Sequence, residues 1–262
     1  MKMRLDRTKL LNHINDSDIQ SQLTKIIDKA EQCLRTHQPN ATDFYEPHII
    51  AKVSGILIQV PDLHFTIAGG YSEAERRRIV VYPDYMEYDN ELEHISVLQI
   101  NSLKPISHPQ VLGTLTGLGI KREKIGDIIT TDKYCQVIMD KTVAEFARYN
   151  IETIGRVKVT IDETGRDKIS LPECQLKEIT TTVASMRLDG IVAAGFNIPR
   201  QVATNLIKAD KVKCNWEIAK SPAVQIEVND LISCRKHGRI KVVEIIGTTK
   251  KDRIKIKINK LQ

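Results

Sequence analysis

Cysteine is in short supply in this chain. There are five, at positions 33, 135, 174, 214 and 234, odd in number and with no CxxC pair. That usage argues against a structural zinc site and fits reduced thiols in a cytoplasm. Cys214 and Cys234 are expected as plain core residues. Long hydrophobic runs are missing as well. Nothing approaches the roughly 20 apolar residues that span a bilayer, and Lys52 interrupts the best candidate, His48 to Val60. The opening MKMRLDRTKL lacks the apolar centre of a secretory signal. There is no low-complexity tract, and the 41% hydrophobic content suffices for packed cores. At 262 residues the chain has room for two or three compact domains.

What is present is an uneven charge. Residues 181 to 262 hold 16 Lys+Arg against 7 Asp+Glu, a balance of +9, whereas the whole chain stands at +6. The upstream 180 residues therefore balance at −3, and all the positive excess sits in the last third. Such asymmetry implies a localised footprint for a polyanion. A membrane surface fits less well than nucleic acid, because the cations alternate with core residues on strands and do not line an amphipathic helix.

Within that basic third, residues 185 to 235 carry an ordered pattern. Ser185 is placed to cap a helix in which Leu188, Ile191 and Val192 form one apolar stripe. Gly195 sits where a left-handed C-cap belongs, and Asn197 with Pro199 marks the next helix start. Val202, Ala203 and Leu206 give a second stripe. Lys211, Lys213 and Asn215 then alternate with Val212, Cys214 and Trp216, as in a half-buried strand. Two adjacent helix N-termini with Arg187 and Arg200 beside them form an expected phosphate site. This block resembles the S4 RNA-binding domain, through Arg187-Leu188-Asp189, Gly195, Arg200, Ala203, Leu206-Ile207, Lys211-Val212, Asn215 and Asp230-Leu231-Ile232. It departs where Pro199 replaces a usual serine and where Asp210, Trp216 and Asn229 replace usual glycines, so the turns at 210 and 229 are expected to differ. Downstream, Arg235-Lys236-His237-Gly238-Arg239 reads as a basic turn. Ile254, Ile256 and Ile258 alternate with Arg253, Lys255 and Lys257, giving a strand with one packed and one cationic face. The bland alternative for that strand is an edge guarded by lysines.

Upstream, residues 4 to 36 read as two helical stretches, the second capped by Asp16 or Ser17, with a helix over 48–58 and strands over 63–68 and 77–82. From about 91 the order is strand, helix, strand, strand, helix, strand, that of a ferredoxin-like plait and of RNA-recognition motifs. Its central strands offer only Tyr134 as an aromatic, so base stacking on this sheet is doubtful. Lys121, Arg122 and Lys124 are the expected RNA contacts there, if the domain has any.

Two upstream runs complete a family pattern. They are Gly69-Gly70-Tyr71 through Ala74-Glu75-Arg76 to Pro83-Asp84-Tyr85, and His108-Pro109 through Leu112-Gly113 to Gly119-Ile120-Lys121-Arg122-Glu123-Lys124-Ile125-Gly126-Asp127-Ile128. With Gly238-Arg239 and the 249–253 segment they make nearly the full chain similar to the YlmH family of bacterial RNA-binding proteins. The resemblance implies an α+β, multidomain chain: a small N-terminal α/β unit (1–88), a ferredoxin-like, RRM-like plait (91–165) and a C-terminal S4 RNA-binding domain with terminal strands (181–262). It implies a cytoplasmic, ribosome-associated protein, acting as a monomer on rRNA of the large subunit and on tRNA. There it assists an RqcH-type tailing factor that adds alanines to stalled chains. Arg187 and Arg200 correspond by motif to the functional arginines of the smaller relative RqcP. Lys208, Lys211, Lys213, Arg235, Lys236 and Arg239 extend the expected RNA surface. No cofactor, metal or catalytic residue is expected.

Two rival readings stand beside this one. An RNA-modifying enzyme, a pseudouridine synthase or rRNA methyltransferase, often carries an S4 domain. Asp189 of the Arg-Leu-Asp run is expected instead to pair with a neighbouring basic residue or support its helix N-terminus. Gly113, Gly117 and Gly119 lie within and at the end of a helix, where close packing and capping account for them. His108 reads as a turn residue, and His64 and His94 show no metal spacing. The other rival is a translation or cell-division accessory that binds free RNA.

Overall fold

The computed structural model describes residues 5–12, 14–89, 93–131, 134–172 and 176–261; Cys174 lies outside them. The chain forms two compact units, Met1–Pro172 and Glu173–Gln262.

The first unit begins with helices α1 (Arg7–Leu11) and α2 (Ser17–Thr36). Asp16 caps α2, its carboxylate accepting from the N–H groups of Asp18 and Ile19 at 3.0 and 3.2 Å. The apolar spacing of Leu23, Ile26, Ile27, Ala30 and Cys33 puts a fully buried stripe on one face. That stripe packs with α3 (Pro47–Leu57) and with a three-stranded sheet, β1 (Asn40–Ala41), β3 (Arg78–Pro83) and β2 (Leu63–Ala68), in the order β1-β3-β2.

The same unit continues with β4 (Ile95–Ser102), α4 (His108–Gly117), β5 (Ile125–Thr130), β6 (Tyr134–Asp140), α5 (Lys141–Asn150), β7 (Thr153–Ile154) and β8 (Val157–Thr164). The antiparallel order is β5-β6-β4-β8-β7. Its first four members are the ferredoxin-like arrangement, with the short β7 added at the edge. Helices α4 and α5 cover the face bearing Leu98, Ile100, Val137 and Met139. The opposite face is covered by the protein itself. Val97, Ile129 and Ile138 pack with Phe44 and Ala68. Gln136, 1% exposed, donates to the Lys168 carbonyl at 2.9 Å and accepts from the Ser170 N–H at 3.0 Å. Much of the surface on which RNA-recognition motifs stack bases is thus already filled.

The two family-signature runs meet here. Asp127 accepts hydrogen bonds from the Tyr71 hydroxyl (2.8 Å) and from the N–H groups of Glu75 (2.7 Å) and Arg76 (3.0 Å). Arg76 in turn donates to the carbonyls of Ile125 and Phe44. Gly126 must be glycine because a Cβ would lie 2.9 Å from the Phe44 ring and 3.1 Å from the Ile138 carbonyl. Gly113 and Gly117 have no neighbour that close, so tight packing does not explain them; Gly119, at φ +85°, ends the helix region in a left-handed turn.

The second unit is a six-stranded antiparallel sheet with two helices on one face. Its elements are β9 (Leu176–Val183), α6 (Leu188–Phe196), α7 (Arg200–Lys208), β10 (Val212–Cys214), β11 (Glu217–Ile218), β12 (Leu231–Cys234), β13 (Gly238–Thr248) and β14 (Ile254–Leu261). Strand order is β11-β10-β12-β13-β14-β9. Ile232, Ile240, Val242, Ile256 and Ile258 face the helices and pack on Leu188, Ile191, Val192, Ala203 and Ile207. Cys234 is buried in this core and Cys214 packs against it.

Several local expectations change. Ser185 does not cap α6; Arg187 occupies the N-cap, with no side-chain cap bond. The left-handed C-cap is Asn197 (φ 53°), while Gly195 lies inside the helix, where a Cβ would press on the Ile240 side chain. Pro199 is the N-cap of α7. The strand after α7 stops at Cys214, since Asn215 and Trp216 turn into the left-handed region (φ 49° and 68°). Asp210 (φ 54°) and Asn229 (φ 78°) also take the positive φ that glycine would. The turns at 210 and 229 therefore keep a glycine-like backbone despite the side chains.

Candidate nucleic-acid interface

The centre of the site is Asp189, buried to 4% exposure in the first turn of α6. Two guanidinium groups grip its carboxylate from different elements. Arg187 donates from Nε to Oδ1 and from Nη2 to Oδ2, both at 3.2 Å. Arg200, the first residue of α7, donates from Nε to Oδ2 and from Nη2 to Oδ1, both at 3.1 Å. The Gly190 N–H adds a bond to Oδ1 at 2.9 Å. Burial raises the Asp189 carboxyl's pKa, but the hydrogen bonds and charges of Arg187 and Arg200 more than reverse that, holding it below the ordinary carboxylate value. The Arg187 and Arg200 side chains are 37% and 55% exposed, so the forks are anchored at one side and open to solvent at the other. Each guanidinium carries five N–H donors and spends two here, which leaves three for a ligand. The cluster has a formal charge of +1.

The N-terminus of α6 is not itself an anion cradle. Leu188 N–H donates to Val224 O at 2.9 Å, Asp189 N–H to Pro222 O at 3.1 Å, and Gly190 N–H to Asp189. The 222–226 segment, which also bridges Gln225 to Arg187, takes the first two of these donors and the Asp189 carboxylate takes the third. At the start of α6, therefore, the groups left to meet a phosphate are the side-chain forks and not the helix-end amides.

The other basic residues separate into two further groups. Lys208 ends α7, Lys211 follows it, and Arg235 is tied to Lys211 by a backbone bond of 2.9 Å. Lys236 (φ 73°) lies in the same turn between β12 and β13. This group sits at the far end of α7 from Arg200, about 12 Å along a nine-residue helix. Lys213 and Arg239 lie on the sheet face away from the helices, both registered opposite Ser233, and Lys211 with Arg235 continues the same ladder two residues further on. The basic residues at the end of α7 and those on the sheet thus adjoin, while Arg187 and Arg200 stand apart at the helix starts.

In the first unit, two of the three expected cations are engaged internally. Arg122 donates to the carbonyls of Ile125 (2.7 Å) and Gly126 (3.3 Å), and burial together with Arg76 lowers its pKa to about 10. Lys124 pairs with Asp43 at 2.8 Å and Asp140 at 3.0 Å. Lys121 is exposed. His108 is the first residue of α4, not a turn residue. Among the described residues no helix is long and apolar enough to cross a membrane, and no cluster of three His, Cys, Asp or Glu could hold a metal.

A paired-helix, sheet-backed module with two arginines locked onto one buried aspartate, joined to a ferredoxin-like unit, defines a chain with the S4 architecture. Family models agree: "S4 domain" matches residues 186–232, "YlmH, N-terminal" matches 19–86, and "Putative RNA-binding domain in YlmH" matches 83–168. The chain is 31% identical over 218 residues to the Bacillus subtilis (strain 168) protein called ribosome-associated protein quality control protein P2, covering 82% of this chain and 84% of the relative. It belongs to the YlmH family. A solved structure of the cell division protein ylmH from Streptococcus pneumoniae shares the fold, with a TM-score of 0.52 and 22% identity over 59% of this chain and 96% of that one.

Proposed function

We propose that this protein binds RNA on the large ribosomal subunit and peptidyl-tRNA and supports alanine tailing of stalled nascent chains, as a non-enzymatic partner of an RqcH-type factor. It would work in the cytoplasm as three parts: an N-terminal domain (1–88), a plait (91–165) and an S4 domain (181–262). The observation that carries the reading is the double fork on Asp189. It presents two half-exposed guanidinium groups in fixed orientation, in the basic third of the chain. Folded RNA is recognised largely by shape and phosphate, and forked donors suit phosphate oxygens. The name of the Bacillus subtilis relative supports the quality-control setting. Arg187 and Arg200 would make the central contacts. Lys208, Lys211, Arg235 and Lys236 would reach a second stretch of backbone, with Lys213 and Arg239 on the sheet side.

The test is co-sedimentation of the full chain with purified large subunits carrying peptidyl-tRNA, beside intact ribosomes and free RNA. Arg187→Ala and Arg200→Ala are expected to fold and to lose most of the bound fraction. Unchanged binding by both variants would refute the assignment. An equal preference for naked RNA would favour a general accessory role instead.

A further inference from the structure

The open face of the C-terminal sheet has a composition that its fold does not require. Cross-strand pairs share a face, and the register places Lys213, Ser233, Arg239 and Leu261 in one row. Leu231, Lys241, Asn259 and Glu178 form the next. Glu244, Lys257 and Thr180 follow, then Gly247, Lys255 and Thr182. Five cations thus meet two carboxylates. The cations run diagonally from β10 to β14 over roughly 25 Å, by ordinary strand spacing and rise. Arg239, Lys241 and Lys255 are exposed. Lys257 reaches Glu178 at 3.3 Å.

Edge protection does not explain these lysines. Strand β14 is hydrogen-bonded on both sides, to β13 and β9, and β13 is flanked by β12 and β14 over Arg239–Lys241, where its own cations lie. Interior strands have no unpaired backbone to guard. Solubility alone is served by balanced signs and needs no excess of cations across one sheet face. The helices pack on the other face, and Arg187 and Arg200 stand at their N-terminal ends.

We propose that this open sheet face is a second binding surface for RNA backbone, so that the S4 unit holds one RNA segment at the Asp189 cluster and another across β12–β14. The proposal rests on the RNA-binding reading above and specifies its geometry: the unit is a clamp between two strands or helices. Charge complementarity selects the occupant, because a spaced row of cations on a broad, shallow face matches the regular anionic charge of a nucleic acid.

The experiment uses the full chain and two differently labelled RNA hairpins, one fixed on beads. Wild-type protein is expected to capture the second hairpin on the first. Lys241→Ala/Lys255→Ala is expected to abolish this sandwich while still binding single hairpins, and to reduce the salt slope of log affinity by about 1.5. Arg187→Ala/Arg200→Ala should also abolish it. Lys241→Arg/Lys255→Arg should preserve it, which separates charge from folding. Full sandwiching and an unchanged salt slope in the Lys241→Ala/Lys255→Ala protein would overturn the proposal. So would Lys241/Lys255-dependent capture of anionic phosphatidylglycerol vesicles without capture of RNA. If neither double-alanine variant alters any RNA binding, the RNA-binding reading itself fails.

Discussion

Asp189 and Arg200, eleven residues apart, are joined by two parallel hydrogen bonds of 3.1 Å that tie the first turn of α6 to the first turn of α7. Arg187 repeats the grip from the other side. A buried carboxylate thereby sets the direction of both guanidinium groups, and an arginine held in this way loses less freedom when it meets a phosphate.

Asp189→Asn keeps the shape and removes the charge that orients both forks. RNA affinity is expected to fall about tenfold although a negative charge has been deleted from a polyanion-binding site. Simple electrostatics predicts the opposite sign, so tighter binding would reject the positioning role. Hydrogen bonds to charged groups contribute about 1.5–3 kcal/mol, and a stability loss of that order should accompany the change. The chain's single tryptophan, Trp216, lies in this unit and reports its unfolding by fluorescence.

Acid should weaken the protein in a defined window. Asp189 and Asp140 both have carboxyl groups held below their ordinary values. At Asp140 burial raises the pKa, and the bond from Thr142, the charge of Arg78 and the bond from Lys124 outweigh it. A depressed folded value means the stabilisation is complete above the unfolded pKa, about 4, and is lost as pH falls through the folded values. Urea midpoints should stay flat in these contributions from pH 7 to about 5 and drop below about 4. Asp140→Asn should flatten that acid limb when far-UV signal of the first unit is followed.

Asp127→Ala removes the acceptor for Tyr71, Glu75 and Arg76 together. Stranding those donors should destabilise the first unit by about 2–4 kcal/mol. Scanning calorimetry should show the first transition shifted down and the Trp216 transition unmoved. A shift in both would mean that the two units unfold as one.

Asp210→Gly tests the left-handed turn after α7. An L-residue in this region carries a penalty of roughly 1–2 kcal/mol that glycine avoids, partly offset by glycine's greater entropy when unfolded. The variant should be more stable by up to about 1 kcal/mol, seen as a higher urea midpoint by Trp216 fluorescence.

Much of the first unit was legible because its signals are local. The 3.6-residue period of α2, the carboxylate cap at Asp16 and the strand alternation at Ile95–Ile100 each depend on a few neighbours along the chain. What escaped were contacts between distant segments. Nothing in the spacing of Lys124 or Arg122 shows that Asp43, Asp140 and two carbonyls would claim them. The α6 start was misplaced because the 222–226 loop, more than thirty residues downstream, satisfies the backbone donors that Ser185 was expected to serve.

The sequence by itself determined the alternation of core and cation on β14, the concentration of positive charge in the last third and the pairing of two short helices, since periodicity and composition are properties of a chain. Only the tertiary structure decided which cations share a face. Strand register carried Lys241, Lys255 and Lys257 to one side of the sheet, and helix packing brought Asp189 between two arginines. Register and packing are settled by which apolar faces bury together, so no local pattern could announce them.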